Sequence, residues 1–347
     1  LLHMTGLPRH DLVWITQRFS MEHFLSLLPF LEPSYSRGEK WQYNNLMYMV
    51  AGMAAGRANN SSWTDVVQDY LLNELKMDST YFTVDDVINL PNVATPYYYI
   101  NGTFTKRKLR NIDGIGPAGS IHSNINDMTK WLRMNLNKGT FSGKEIVSRN
   151  IINEIHRGQI EISRGNWFPE LTDSKYGFAW TEANYRNHKI IRHGGSINSY
   201  LTHIAFFPED DLGIIILTSG GSLSPSVVLW TLTDHFLKLK PIDWVKRYTY
   251  SKDPVSIPDN PEPNSLTPAV GLFTHTAYGN LDTSIVELNN KNYLQLKLNG
   301  LEIATIPVWL TDNPQFWNFK HNGTEVNLYL DKENLVNKIE INLEPSV

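Results

Sequence analysis

The hydrophobic period changes once along this chain, and that change constrains the fold more than any single motif. Up to about residue 156 the apolar side chains recur at helical spacing. Leu46, Met49, Val50 and Met53 form one such stripe, and Met128, Trp131, Leu132 and Leu136 form another. Ser62-Trp63-Thr64-Asp65 is a capping box opening a helix that runs to about Leu75, and short helices are expected over 21–31 and 148–156. From residue 176 the apolar runs shorten, covering 176–182, 189–193, 202–207 and 213–218, with turn residues such as Pro208-Glu209-Asp210-Asp211 between them. These predict close antiparallel hairpins. A helix over 224–239, with Pro225 in its first turn, follows them. Helices, then a meander, then a helix give an α+β class.

Two further stretches set the domain plan. Residues 250–267 are rich in proline among Ser, Asp and Asn, as a linker is. After them no helical period returns. Strand-like runs at 283–288, 293–298, 302–308, 325–330 and 338–343 predict a small antiparallel sheet or barrel. The domains expected are therefore 1–248, a linker over 249–267, and 268–347. Residues 80–110, rich in Tyr, Asn and Thr, predict strands and loops.

Composition excludes several functions. The chain is 41% hydrophobic and carries a net charge of −4 with no basic stripe, which argues against a nucleic-acid partner. It has no cysteine, hence no disulfide, thiolate nucleophile or cysteine metal site. The apolar run at 212–217 is too short to span a bilayer. There is no His-Glu-x-x-His, and Gly194-Gly195-Ser196-Ile197-Asn198 fails the Gly-x-Ser-x-Gly pattern at its last position. Asp113-Gly114-Ile115-Gly116-Pro117-Ala118-Gly119-Ser120 is a run poor in side chains that lets backbone approach something else, but no Gly-Lys-Ser/Thr follows to make it a P-loop. Glycosylation sequons stand at Asn59, Asn60, Asn101 and Asn322.

Two constellations remain. Gln42-Tyr43-Asn44-Asn45 places a phenol and carboxamides at the start of a helix, with Asn44 or Asn45 as its candidate cap. Arg192-His193-Gly194-Gly195-Ser196 places an imidazole, two glycines and a hydroxyl at a strand edge. In this order they resemble the Tyr-x-Asn and His-x-Gly motifs of the serine β-lactamase and penicillin-binding-protein-like hydrolases. The likeness is to the group holding class C β-lactamases, D-Ala-D-Ala carboxypeptidases, D-aminopeptidases and esterases, of the peptidase S12 type. Leu1 to Pro8 looks like that family's Leu-Leu-x-His-x-x-Gly-Leu-Pro loop. Leu75-Lys76-Met77-Asp78-Ser79-Thr80 looks like its Leu-Gly-Met-x-x-Thr segment, with Lys76 in place of Gly. Residues 268–347, with Gly271-Leu272-Phe273 and Tyr278-Gly279-Asn280-Leu281, look like the lipocalin-like domain often appended to these enzymes.

The resemblance implies a β-lactamase/transpeptidase-like antiparallel sheet with a helical subdomain, followed by a small C-terminal antiparallel β-barrel. It implies a serine hydrolase working through an acyl-enzyme on D-amino-acid peptides, β-lactams or small esters, with no cofactor and no metal. The family's Ser-x-x-Lys occurs nowhere in the chain; the nearest approaches, Thr172-Asp173-Ser174-Lys175 and Thr249-Tyr250-Ser251-Lys252, begin with Thr. The nucleophile is expected from a segment or chain preceding Leu1, as is an N-terminal strand that would cover an otherwise open sheet edge. Tyr43 is then a candidate base together with the absent lysine, and Asn45 would hold that lysine and the substrate amide. His193 would bind a substrate carboxylate or steady the Tyr43 proton. Gly194, Gly195 and Asn198 would receive the substrate, and the backbone N–H of Ser196 would be an oxyanion donor. The partner expected is a small molecule or short peptide, and the location extracytoplasmic or secreted. The alternative is a non-catalytic penicillin-binding-protein-like module that binds peptides or assembles through the same groove.

Overall fold

A computed structural model describes residues 1–100, 103–162, 168–220, 225–249, 269–288, 290–307, 316–321, 324–330 and 336–342. The linker expected over 249–267 and the sequons at Asn101 and Asn322 lie almost wholly outside them. The chain divides into two compact units. One holds residues 1–6, 36–41 and 45–251, and the other residues 7–35, 42–44 and 252–347.

The first unit is built on a six-stranded antiparallel sheet. Its strands are Ile160–Glu161, Leu171–Tyr176, Thr181–Tyr185, His188–Ile197, Tyr200–Phe207 and Leu212–Ser219, each paired with the next in sequence. The run expected as one strand over 176–182 is two: the Gly177 N–H bonds the Trp180 carbonyl at 2.7 Å and turns the chain between them. Sharp hairpins join the later strands. At Asn198 and Ser199 φ is +47° and +73°, and at Arg186 and Asn187 it is +49° and +73°. Positive φ at both central residues is the type I′ turn, whose twist matches that of the flanking strands.

Helices cover both faces of this sheet. Pro225–Phe236 and Trp244–Thr249 bury Trp230 and Trp244 against Tyr185, Ile190 and Phe207. On the other side Leu132, from the helix Ile125–Leu136, packs with Trp180, Ile191 and Phe206. Asn124 caps that helix, accepting from the Asn126 and Asp127 N–H groups, and the neighbouring Ser123 hydroxyl meets that of Thr80. The capping box at Ser62 and Asp65 is present, and its helix runs from Trp63 to Leu75 with a wider π turn over Gln68–Leu72. The glycine-rich run lies on the helix Asn45–Ala58: a Cβ on Gly52 would fall 2.3 Å from the Pro117 ring. Residues 80–110, expected as strands and loops, hold two paired strands, Tyr97–Ile100 and Thr103–Lys106, and also a short helix, Val84–Val87, that the sequence pattern did not foretell.

In the second unit the expected barrel is not closed. Gly271–His275, Gly279–Leu288, Lys291–Leu298 and Leu301–Pro307 form a four-stranded sheet, and Phe316–His321, Thr324–Leu330 and Val336–Asn342 a three-stranded one. Among the described residues the two sheets share a core of Leu281, Leu294, Leu296, Ile306, Val326 and Leu328, but no ladder joins them. This unit also draws in residues 7–35, which the sequence reading assigns to the 1–248 domain. Leu12 packs on its core, Gln17 donates to the Ala277 carbonyl at 2.8 Å, and His10 meets the Tyr278 hydroxyl at 2.5 Å.

One buried carboxylate ties the first unit's sheet to its C-terminal helices. Asp234 is 2% exposed. It accepts from the Tyr185 hydroxyl at 2.6 Å, the Arg186 guanidinium at 2.8 Å, the Trp244 indole at 3.0 Å and the Ile242 N–H at 3.3 Å. Removing one partner of a buried pair strands the others without water. Asp234→Ala is expected to lower the unfolding free energy by about 3 kcal/mol or more, read as a shift of the urea midpoint; a loss under about 1 kcal/mol would refute this role.

Candidate active site

The strand His188–Ile197 is longer than its neighbour. Thr181–Tyr185 pairs with it only from His188 to Arg192, whereas Tyr200–Phe207 pairs with it from Ile191 to Ile197. From His193 to Ile197 the strand therefore has one partner, and among the described residues no strand pairs with its other edge. Gly194, Gly195 and Ser196 are exposed there. A side chain on Gly195 would crowd the Thr202 hydroxyl, at 2.8 Å from its Cβ. An edge of this kind, short of side chains, can add an extended ligand as a further strand. Asn198 sits in the hairpin turn just beyond, and its carboxamide donates to the Lys108 carbonyl at 2.5 Å. Tyr200 likewise donates to the Ala94 carbonyl, so the segment that carries the aromatic hairpin 97–106 is fastened beside the turn.

His193 is half-buried. Burial holds its pKa below the ordinary imidazole range; a hydrogen bond to the Gly194 backbone acts the other way, and the nearby Arg192 charge lowers it further. The neutral ring is the form present at neutral pH. Arg192 points to the opposite face, its guanidinium 5.7 Å from the Trp230 ring centre, and burial pulls its pKa down to about 10, so it stays charged. His203, across the ladder from Gly194, is buried with Nε2 unpartnered among the described residues and Nδ1 3.5 Å from the Ser226 hydroxyl. Burial, then Arg192 and His193, push it down to about 3.

Asn45 opens the helix Asn45–Ala58. Tyr48, one helical turn along, donates to the Leu1 carbonyl at 2.7 Å and packs its ring 4.9 Å from His3. His3 also meets Trp41 and Tyr176, and Tyr176 meets His193, so an aromatic cluster leads from the start of this helix to the His193 strand. Nothing in the sequence pattern marked Tyr176 as a site residue; the signal available was a Tyr opening the strand-like run 176–182. In the second unit, Tyr43 lies under the Arg9 guanidinium, 5.0 Å from its ring centre. Burial raises the Tyr43 pKa; Arg9 opposes this and Asp11 adds to it. Asn44 is buried and donates to the Pro8 carbonyl at 2.5 Å. Among the described residues no group of three or more metal-ligating side chains occurs, and no helix is long and apolar enough to cross a membrane.

A helix-covered antiparallel sheet with a glycine-bearing strand edge at its centre defines the class of fold shared by penicillin-binding proteins and serine β-lactamases. Residues 1–236 match the beta-lactamase family, and the chain belongs to it. It is 26% identical over 263 residues to unguisins hydrolase from Aspergillus campestris, a match covering 72% of this chain and 48% of that protein. The chain thus spans about half the length of the curated relatives it matches. The octameric penicillin-binding protein homologue from Pyrococcus abyssi superimposes with a TM-score of 0.63 at 19% identity, covering 100% of this chain and 76% of that one. D-amino acid amidase from Ochrobactrum anthropi does so at 0.56 with 15% identity, covering 72% and 71%. These two likenesses concern the fold.

The buried histidines set an acid limit on stability. His203 is held near 3 and His156, buried against Trp180 and Phe206, near 4. In the unfolded chain both titrate near 6.5. Above that pH they are neutral in both states. Below it the unfolded state takes up protons first, so stability falls until the folded values are reached. Urea midpoints are expected to decline between about pH 6.5 and 4, each histidine accounting for roughly 3 kcal/mol or more, and His203→Asn should flatten the decline. An unchanged slope in that variant would show that His203 is not held neutral.

Proposed function

We propose that this chain is the larger part of a serine hydrolase that forms an acyl-enzyme on an amide bond, with D-amino-acid peptides as the first substrate class and β-lactams and small esters behind them. The observation that carries this reading is the strand edge from His193 to Ile197. Among the described residues no strand pairs with one side of it, and it has glycine at two successive positions, as an extended peptide lying along it requires. The unguisins hydrolases are named as hydrolases, and their kinship favours hydrolysis over mere binding. A neutral His193 favours a peptide amide over a dedicated lactam site, because it offers a hydrogen bond where a lysine would offer charge to a carboxylate.

The nucleophile in this reading is the serine of a Ser-x-x-Lys segment upstream of Leu1. Its hydroxyl oxygen attacks the carbonyl carbon and its proton passes to a base. Burial keeps the Tyr43 phenol protonated, so the lysine is the better base and Tyr43 the better proton donor to the leaving amine. Asn45 holds the lysine and the substrate amide. The tetrahedral oxyanion is met by the backbone N–H of Ser196 and that of the nucleophile, one such donor contributing about 3 kcal/mol. Water then releases the acyl group by the reverse proton path. Secretion is the compartment that suits such substrates.

The test uses the full-length gene product with the residues preceding Leu1. Fluorophosphonate and fluorescent penicillin are expected to label one serine upstream of Leu1, and D-amino-acid peptide amides to be cleaved. Tyr43→Phe should lower kcat about 100-fold or more with the thermal midpoint little changed. A full-length protein that neither labels nor cleaves, yet binds D-peptides, would instead establish the non-catalytic binding module.

A further inference from the structure

His193 has a neighbour that its strand does not reveal. Tyr176 ends the strand Leu171–Tyr176 and is 3% exposed. Its ring lies 5.0 Å from His3, 5.5 Å from Trp41 and 6.4 Å from His193, centre to centre. Its hydroxyl is 3.3 Å from His3 Nε2 and 3.5 Å from His193 Nε2, at the outer limit of hydrogen-bond reach. Contacts of this length in catalytic sites commonly tighten once substrate is bound. Three segments remote in sequence, beginning near residues 3, 176 and 193, therefore converge on one phenol oxygen.

The chemistry of the three groups gives the arrangement a direction. The Gly194 backbone favours the protonated His193 ring, as a carbonyl accepting from an imidazole N–H does. Nε2 is the nitrogen turned to Tyr176, which leaves Nδ1–H for that carbonyl. In the neutral ring Nε2 is then the lone-pair atom, and the phenol donates to it. A hydroxyl also accepts, so the same oxygen can take a hydrogen bond from His3 Nε2–H at the same time. Two other titratable groups act on or with His193 electrostatically: Arg192 beside it, and His203 on the neighbouring strand.

We propose that Tyr176 is the positioning residue of His193, its hydroxyl fixing the ring's tautomer and orientation at the open strand edge and tying it to the buried His3. This rests on the reading of His193 as part of the reaction site. It gives the N-terminal loop a purpose beyond packing: His3 anchors the phenol that orients the imidazole. No proton is transferred in the resting state. When His193 takes up a proton at Nε2, the hydroxyl oxygen accepts from it, so the ring stays in place.

Two measurements decide it. Ring-nitrogen NMR of the unmodified 347-residue chain is expected to show neutral His193 as the Nδ1–H form; the opposite tautomer overturns the proposal. In the full-length enzyme, Tyr176→Phe keeps the ring packing and removes only the oxygen, and kcat/KM should fall about 10-fold. The same substitution in a His193→Gln background should then cost nothing further, because the partner is already gone. Equal losses in both backgrounds would mark Tyr176 as a packing residue and sink the proposal, as would a Tyr176→Phe enzyme as active as wild type beside an impaired His193→Gln. If His193→Gln itself hydrolyses like wild type, the reading of His193 fails first and the positioning role falls with it.

Discussion

A β-strand that continues past the end of its neighbour is the constraint on which the rest of this molecule turns. Backbone N–H and C=O groups seek partners, and most strands in a sheet find them on both sides. Here Thr181–Tyr185 stops opposite Arg192 while His188–Ile197 runs on, paired among the described strands with Tyr200–Phe207. The extension is kept in register by the tight turn at Asn198 and Ser199. Its two glycines keep side chains out of the way of whatever lies along it. The packed sheet behind it, with Trp230 and Trp244 on one face and Trp180 and Phe206 on the other, holds it rigid.

Buried polar groups stand close behind that edge. Arg192 remains charged against Trp230, His203 is kept neutral across from Gly194, and Asp234, on the helix Pro225–Phe236, gathers donors from the sheet and from Trp244 of the last helix. Each costs solvation, and each is placed where a hydrophobic side chain would serve stability alone at least as well. The positive charge of Arg192 is also one reason that neither neighbouring histidine is protonated at neutral pH. The electrostatic character of the strand edge is thus set partly from the far side of the sheet.

Much of this was legible in the residues. The capping box at Ser62 and Asp65, the stripe of Leu46, Met49 and Met53, and the meander after residue 176 come from local rules, and each is present. What was illegible depended on contacts between distant segments. Residues 7–35 read as part of the hydrolase domain and fall within the stretch that matches the family, yet nothing local tells that Leu12, Gln17 and His10 will find partners near residues 277, 278 and 281. Asn198 reads as a substrate ligand, and nothing local tells that its side chain also donates to the Lys108 carbonyl, ninety residues earlier. The C-terminal strands were visible as strands, but whether they close into a barrel depends on pairings that alternation cannot specify.

By itself, then, the sequence determined the class of fold, its order of helices and hairpins, and the two short motifs at Tyr43 and His193, because periodicity and turn chemistry act over a few residues. Only the tertiary structure decided which strand outruns its neighbour, which imidazoles are neutral, and that Tyr176 stands between His3 and His193. Strand length relative to a neighbour, desolvation and side-chain convergence are properties of packing between segments far apart in the chain, and no local pattern encodes them.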